Sequence, residues 1–182
     1  MRIISGTHKG FRFPQRNMPH ARPTTDRAKE ALFNILDQRF YYEDIHVLDL
    51  YSGMGSVALE FCSRGAMYVT AIDNHRKSLD YIKEISSKLK IDNLSIKLSK
   101  SLIYLKKTTE QFDVIFADPP YNDTSEIDEL IQLLSKGNYL TPGGIFILEH
   151  QAMTQINHPA LVESRNYGQS TFSFFKFVND HE

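Results

Sequence analysis

The chain has 182 residues, 21 Lys/Arg against 22 Asp/Glu for a formal charge of −1, and 41% hydrophobic residues, the profile of one ordinary globular domain with a core of its own. No apolar run approaches the ~20 residues a membrane span needs, and the opening Met1-Arg2-Ile3-Ile4-Ser5-Gly6 lacks the apolar core and cleavage site of a signal peptide, so the cytoplasm is the expected compartment. Cys62 is the lone cysteine, which excludes an intrachain disulfide and a cysteine-rich zinc site.

Arg2–Ser5 and Lys9–Phe13 are short strand-like runs around Gly6-Thr7-His8, a predicted hairpin. A proline-rich connector follows, with Pro14, Pro19 and Pro23. Thr24-Thr25-Asp26 then offers N-caps for an amphipathic helix with apolar positions Ala28, Ala31, Leu32, Ile35, Leu36 and Phe40. Residues 1–40 hold eight Lys/Arg and three acids, while the remainder has 13 and 19. That asymmetry suits a basic docking segment on a neutral-to-acidic body.

From residue 45 two periods alternate. Strands are predicted over Ile45–Leu50, Tyr68–Asp73, Leu94–Leu98 and Phe112–Ala117, and helices over Ser56–Arg64, Lys77–Lys90, Leu102–Lys107 and Ser125–Lys136. Pro142-Gly143-Gly144 reads as a turn into a fifth strand, Ile145–His150. Strands alternating with helices imply an α/β fold, a parallel sheet covered on both faces. Leu161–Tyr167 and Thr171–Val178 flank Gly168-Gln169-Ser170 as an antiparallel hairpin closing that sheet, seven strands in all. One domain is expected: an extension over 1–40 and a core over 41–182.

Three carboxylates fall at the carboxyl ends of predicted strands, where open α/β sheets bind ligands. Asp49 precedes the glycine turn Gly53-Met54-Gly55, which allows close backbone approach and starts a helix. Asp73 is placed to accept both hydroxyls of a ribose. Gly53-x-Gly55-x-x-Ala58 formally matches a dinucleotide fingerprint. A carboxylate four residues before the first glycine, however, suits a cofactor with its own ammonium group, such as S-adenosylmethionine. Asp118 opens Asp118-Pro119-Pro120-Tyr121, where two prolines fix φ near −65° and remove two N–H donors. Carbonyl and carboxylate acceptors beside an aromatic ring suit a planar, amine-bearing base. The histidines (His8, His20, His46, His75, His150, His158, His181) lack ligand spacing, so no metal is expected.

These residues make the chain resemble the class I S-adenosylmethionine-dependent methyltransferases with a Rossmann-like fold. More narrowly it resembles the RsmD family, bacterial enzymes that methylate the N2 amine of a guanine in 16S ribosomal RNA. The match runs through Arg2–Gly10, Arg22-Pro23-Thr24-Thr25-Asp26-Arg27, Asp49–Gly55, Ser63-Arg64-Gly65-Ala66 and Asp118–Tyr121. The resemblance implies that Asp118, Pro119, Pro120 and Tyr121 are catalytic. It implies cofactor contacts from Asp49, Tyr51, Ser52, Gly53, Gly55, Asp73, Asn74, Ser101 and Asp118. Arg2, Lys9, Arg12, Arg22, Thr24 and Arg27 would bind RNA, free or in the small subunit, with the chain a monomer. Departures from the pattern are Ala58 for glycine, Tyr51 for phenylalanine, and Ser99-Lys100-Ser101 where an acid or amide faces adenine. Lys100 cannot accept from an adenine amine, so Ser99, Ser101 or a backbone amide is expected there. A DNA adenine-N6 enzyme, a protein-glutamine enzyme and an inactive RNA-binding module are the competing readings.

Overall fold

The computed structural model describes residues 1–16, 24–120 and 124–177. Its sheet is built from β1 (His46–Asp49), β2 (Tyr68–Asp73), β3 (Leu94–Leu98), β4 (Phe112–Ala117), β5 (Leu140–Gln151), β6 (Leu161–Tyr167) and β7 (Ser170–Phe175). The helices are α1 (Asp26–Leu36), α2 (Ser56–Ser63), α3 (Arg76–Leu89), α4 (Ser101–Lys107) and α5 (Thr124–Lys136). The seven strands lie in the order β3-β2-β1-β4-β5-β7-β6, with only the pairs involving β7 antiparallel. Chain direction across the sheet reverses between β1 and β4, which opens a crevice at their carboxyl ends.

Alternation along the strands splits the core in two. Val47, Phe116, Ile147 and Phe172 face α1 and α2, packing on Leu32, Phe33, Val57 and Phe61. Leu48, Ile115, Leu148 and Phe175 face α5, packing on Ile127, Leu130, Ile131 and Leu134. A third cluster joins the N-terminal arms (Ile3, Phe13) to α3 (Leu79, Tyr81, Ile82, Ile85).

The expected N-terminal hairpin is present in reduced form. One antiparallel bridge links Arg2 to Arg12, with backbone bonds Ile3 N to Phe11 O and Gly10 N to Ile3 O. Its turn wraps the carboxyl end of α2: Thr7 N donates to Ser63 O at 2.7 Å, and Ser63 Oγ donates to Ser5 O at 2.7 Å. Gly6 sits at φ +80, and a Cβ there would lie 1.8 Å from Ser63 O, so only glycine permits this approach.

Two sequence expectations need correction. The amphipathic helix stops at Leu36, with Asp37 as its C-cap, and Phe40 packs on the core from outside it. Pro142-Gly143-Gly144 does not precede the fifth strand but lies within it. β5 pairs Leu140 with Phe112, shifts register, and resumes at Ile145 opposite Val114. Gly143 at φ +83 supplies the bulge, and a Cβ on Gly144 would stand 2.9 Å from Thr141 O.

Lys29 corrects a third expectation, since it is fully buried and adds nothing to a basic surface. Its Nζ donates to Arg2 O at 2.6 Å and lies 3.3 Å from Glu60 Oε2. Glu60, equally buried, accepts from Ile4 N at 2.7 Å, Ser5 N at 3.0 Å and Arg64 Nε at 2.9 Å. Arg64 also reaches Asp37 at 2.8 Å and stacks over Phe33, 4.6 Å from the ring centre. Burial pulls the Lys29 ammonium below its usual range, against the pull of Glu60. Removing one partner of a buried ion pair strands the other charge. Glu60→Ala is therefore expected to lower the unfolding free energy by about 3–5 kcal/mol. Lys29→Met should cost less, because Arg64 and two amides still serve Glu60. Urea denaturation of both variants measures the difference.

Candidate active site

Asp49 closes β1 on the face covered by α1 and α2, and is 1% exposed. Its Oδ1 is buried and has no hydrogen-bond partner. Burial first, with the nearby Asp73 carboxylate adding to it, raises this carboxyl from 3.8 to about 7. An unmatched carboxylate oxygen in such a place is costly, and a cation beside it would offset that cost.

The turn that follows is tied down by its own backbone. Ser52 N donates to Ile72 O at 2.9 Å, Ser52 Oγ to Asp49 O at 3.0 Å, and Gly55 N to Ser52 O at 2.7 Å. Gly53 and Gly55 lie at φ +51 and +77. A Cβ on Gly55 would come 2.8 Å from Ile82 Cγ1, so the turn nests against α3 only because both conformation and space demand glycine. Ala58, in place of a third glycine, is buried in α2 within the α1–α2 core.

Asp73 ends β2, and its carboxylate clamps this turn. Oδ2 accepts from Gly53 N at 2.8 Å and Oδ1 from His75 N at 2.7 Å. Oδ1 also meets His75 Nδ1 at 3.2 Å, so the further lone-pair capacity for a ligand hydroxyl is on Oδ2. Asn74 is exposed beside it. Ser101, expected to contact a cofactor, is 4% exposed and its hydroxyl donates to Leu50 O, so it fastens α4 to the end of β1. Ser99 Oγ donates to Lys100 O at 3.0 Å. Both hydroxyl protons in this stretch are committed to backbone carbonyls.

Asp118 follows β4 directly, and the register Asp49↔Phe116 carries it past Asp49 on the neighbouring strand. Asp49 and Asp118 thus stand on either side of the chain reversal. Pro119 is buried and Pro120 exposed. Tyr121 and Arg22 lie outside the described residues. Tyr51, at the site where phenylalanine was expected, donates its hydroxyl to Glu126 Oε1 at 2.8 Å. That bond connects the turn after β1 with the first turn of α5, just beyond the Asp118–Tyr121 segment.

Sequence reasoning missed Glu149. It is 1% exposed in β5, one residue past Leu148, which pairs with Ala117. It therefore lies across from Asp118. Its Oε2 accepts from the Thr24 hydroxyl at 2.7 Å. Thr24, expected to touch RNA, is itself buried and instead joins the entry of α1 to the sheet. An acid directly after the apolar run Ile145–Leu148 was its only sequence signal. His150, the next residue, is held below its ordinary pKa by burial and bonds Ser173 Oγ at 2.8 Å, a structural role. Among the described residues no group of three or more His, Cys, Asp or Glu could hold a metal.

A doubly covered, mostly parallel seven-stranded sheet with an antiparallel last strand and a glycine turn after β1 is the class I methyltransferase fold. The chain belongs to the RsmD family, matching over residues 1–176 the family described as "Conserved hypothetical protein 95". It is 31% identical to Ribosomal RNA small subunit methyltransferase D of Buchnera aphidicola, across 99% of this chain and 93% of that one. To the Escherichia coli protein of the same name it is 32% identical, across 83% and 75%. A solved structure, "Putative methyltransferase yhhF from Escherichia coli", superposes with a TM-score of 0.84 at 28% identity, covering 96% of each chain.

The Asp49 carboxyl sets a pH test. Raised in the folded state, it contributes its stability below the unfolded value near 3.8 and loses it as pH rises towards about 7. Asp49→Asn removes that loss. Relative to wild type, the variant should gain about 2–3 kcal/mol in unfolding free energy between pH 5 and pH 8, read from urea melts at the two pH values.

Proposed function

We propose that this chain transfers a methyl group from S-adenosylmethionine to the exocyclic N2 amine of a guanine in 16S ribosomal RNA, within the small subunit or its assembly intermediate. The observation that carries the reading is the pair of strand-end carboxylates Asp49 and Asp118 across the topological switch, with Oδ1 of Asp49 buried and lacking a hydrogen-bond partner. The names carried by its relatives support the RNA substrate.

The cofactor test is the orphaned Asp49 Oδ1. A carboxylate that burial disfavours regains stability when it meets an ammonium group, and S-adenosylmethionine carries one on its methionine portion. Asp49 and the backbone of Ser52–Gly55 would hold that portion, with Asp73 on the ribose. The bound cofactor supplies an electrophilic methyl on a sulfonium.

The chain's part is to bind and align. An aryl amine is a poor nucleophile because its lone pair is delocalised into the ring. Acceptors on its two hydrogens, the Asp118 carboxylate and the Pro119 carbonyl, favour a pyramidal nitrogen whose lone pair points at the methyl. Asp118 would accept the proton that the nitrogen must shed on methylation. Alignment of this kind accounts for much of the rate, with no metal or covalent intermediate. Extruding the base costs a few kcal/mol, offset in part by stacking of about 1–3 kcal/mol on an aromatic ring, the role assigned to Tyr121.

Labelled S-adenosylmethionine offered with 30S particles, naked 16S rRNA, DNA and a protein substrate tests the assignment. Transfer to N2 of guanine in 30S particles is expected, and label in adenine or protein would overturn it. Asp118→Ala should abolish transfer while leaving cofactor affinity within about twofold. Cofactor affinity should tighten by up to about tenfold per pH unit as Asp49 ionises below pH 7, and level off above it. Calorimetric titration from pH 6 to pH 8 follows that change.

A further inference from the structure

We propose that α3 and the N-terminal hairpin form one basic ridge that takes the RNA phosphate backbone flanking the target base. The inference rests on the rRNA reading above and adds an element, α3, that lies outside the basic first forty residues.

Charge is concentrated on these two segments. Residues 1–16 and 76–90 carry nine Lys/Arg and two acids, while the rest of the chain carries 12 and 20. Of the two acids, Glu84 is neutralised by Arg16 at 2.6 Å, leaving Asp80. Lys9, Arg12, Arg76, Lys77, Lys83 and Lys90 are exposed and have no carboxylate partner among the described residues. By contrast, Arg39 pairs with Glu163 and Lys106 with Glu129. An ordinary solvated helix face mixes its signs, as α5 does with Glu126, Asp128, Glu129 and Lys136.

Packing makes the two segments one surface. Ile3 and Phe13 share a core cluster with Leu79, Tyr81, Ile82 and Ile85. Lys88 lies over the Phe11 ring at 5.6 Å, Arg16 over the Tyr81 ring at 5.6 Å, and Tyr81 Oη donates to Pro14 O at 2.7 Å. Arg76 and Lys83 stand two turns, about 10 Å, apart on α3 with Lys90 at its C-cap, while Lys77 and Lys88 share the flank of Glu84 that meets the N-terminal segment. Lys90 adopts φ +55, the left-handed cap conformation in which glycine or asparagine is the usual residue. The cap is closed by Ile91 N donating to Ser86 O at 2.9 Å, and the Lys90 side chain is exposed.

The ridge borders the site. α3 begins three residues after Asp73, and its Ile82 is the wall against which Gly55 nests. Phosphate contacts position a nucleic acid without reading its sequence, and guanine chemistry then falls to the crevice. A protein with a net charge of −1 needs such a local field to hold a polyanion at all.

The test compares Lys83→Glu/Lys90→Glu with an equally charged control on the other face, Lys107→Glu/Lys136→Glu. Binding of fluorescent 16S rRNA and of 30S particles is measured from 50 to 300 mM KCl, separately from methyl transfer, so a failed activity assay leaves the ridge test intact. The ridge variant should lose at least tenfold in affinity and about 1.4–1.8 from the log–log salt slope, the release expected for two phosphate contacts. The control should stay within twofold, and Lys83→Gln/Lys90→Gln should show a smaller loss of the same sign. Cofactor affinity and the urea midpoint should not move for any of them. Equal losses in ridge and control variants would mean bulk charge alone and overturn the proposal. So would an unchanged salt slope, or tighter binding to phosphatidylglycerol vesicles than to RNA.

Discussion

Glu60 is a carboxylate with no solvent access that collects donors from three separate parts of the chain. Lys29 comes from α1, Arg64 from its own helix one turn on, and the amides of Ile4 and Ser5 from the hairpin. A buried charge with fewer partners would be expelled or neutralised, so these segments must assemble together or not at all. That coupling ties the hairpin and α1 to α2. It places the entry of α1, where Thr24 meets Glu149, against the strand ends that carry Asp118. The geometry at one end of the sheet therefore depends on an ion cluster beside α1 and α2.

Asp49 is the opposite case. Glu60 is saturated with donors, whereas Asp49 keeps one oxygen buried and unmatched, and its proton is held to about pH 7 as a consequence. Two buried acids in one small domain thus have contrary environments. The satisfied one rigidifies, and the unsatisfied one carries a cost that a proton or a cationic partner relieves. The Asp73 carboxylate lies between these extremes, accepting from Gly53 N on one oxygen and from His75 on the other, which ties the glycine turn to the end of β2.

Much of the fold was legible because inner strands are written as mostly apolar runs and the edge strand Leu94–Leu98 as an alternation of apolar and polar residues. Tyr68–Asp73, Leu94–Leu98 and Phe112–Ala117 begin and end where the sequence alone put them. β5 was not, since Pro142-Gly143-Gly144 reads locally as a turn. Only its neighbour β4, supplying Phe112 on one side of the irregularity and Val114 on the other, converts it into a bulge. Lys29 was miscounted for a similar reason: a lysine is coded as a surface cation until a partner 31 residues away buries it. Glu149 and Tyr51 were underrated because their partners, Thr24 and Glu126, are 125 and 75 residues distant.

By itself the sequence determined the alternation of strand and helix, the glycine turn, and the strand-end carboxylates Asp49, Asp73 and Asp118. Each of these is a local pattern whose physical meaning, periodicity, φ freedom or a break in an apolar run, is complete within a few residues. Tertiary structure decided which charges are surface and which are core, and which hydroxyls are spent on backbone. It also decided that Asp49 keeps Oδ1 unmatched and that α3 packs against the hairpin. Those properties belong to pairs of groups far apart in the chain, and electrostatics and burial act through the distances that folding creates, not through sequence separation.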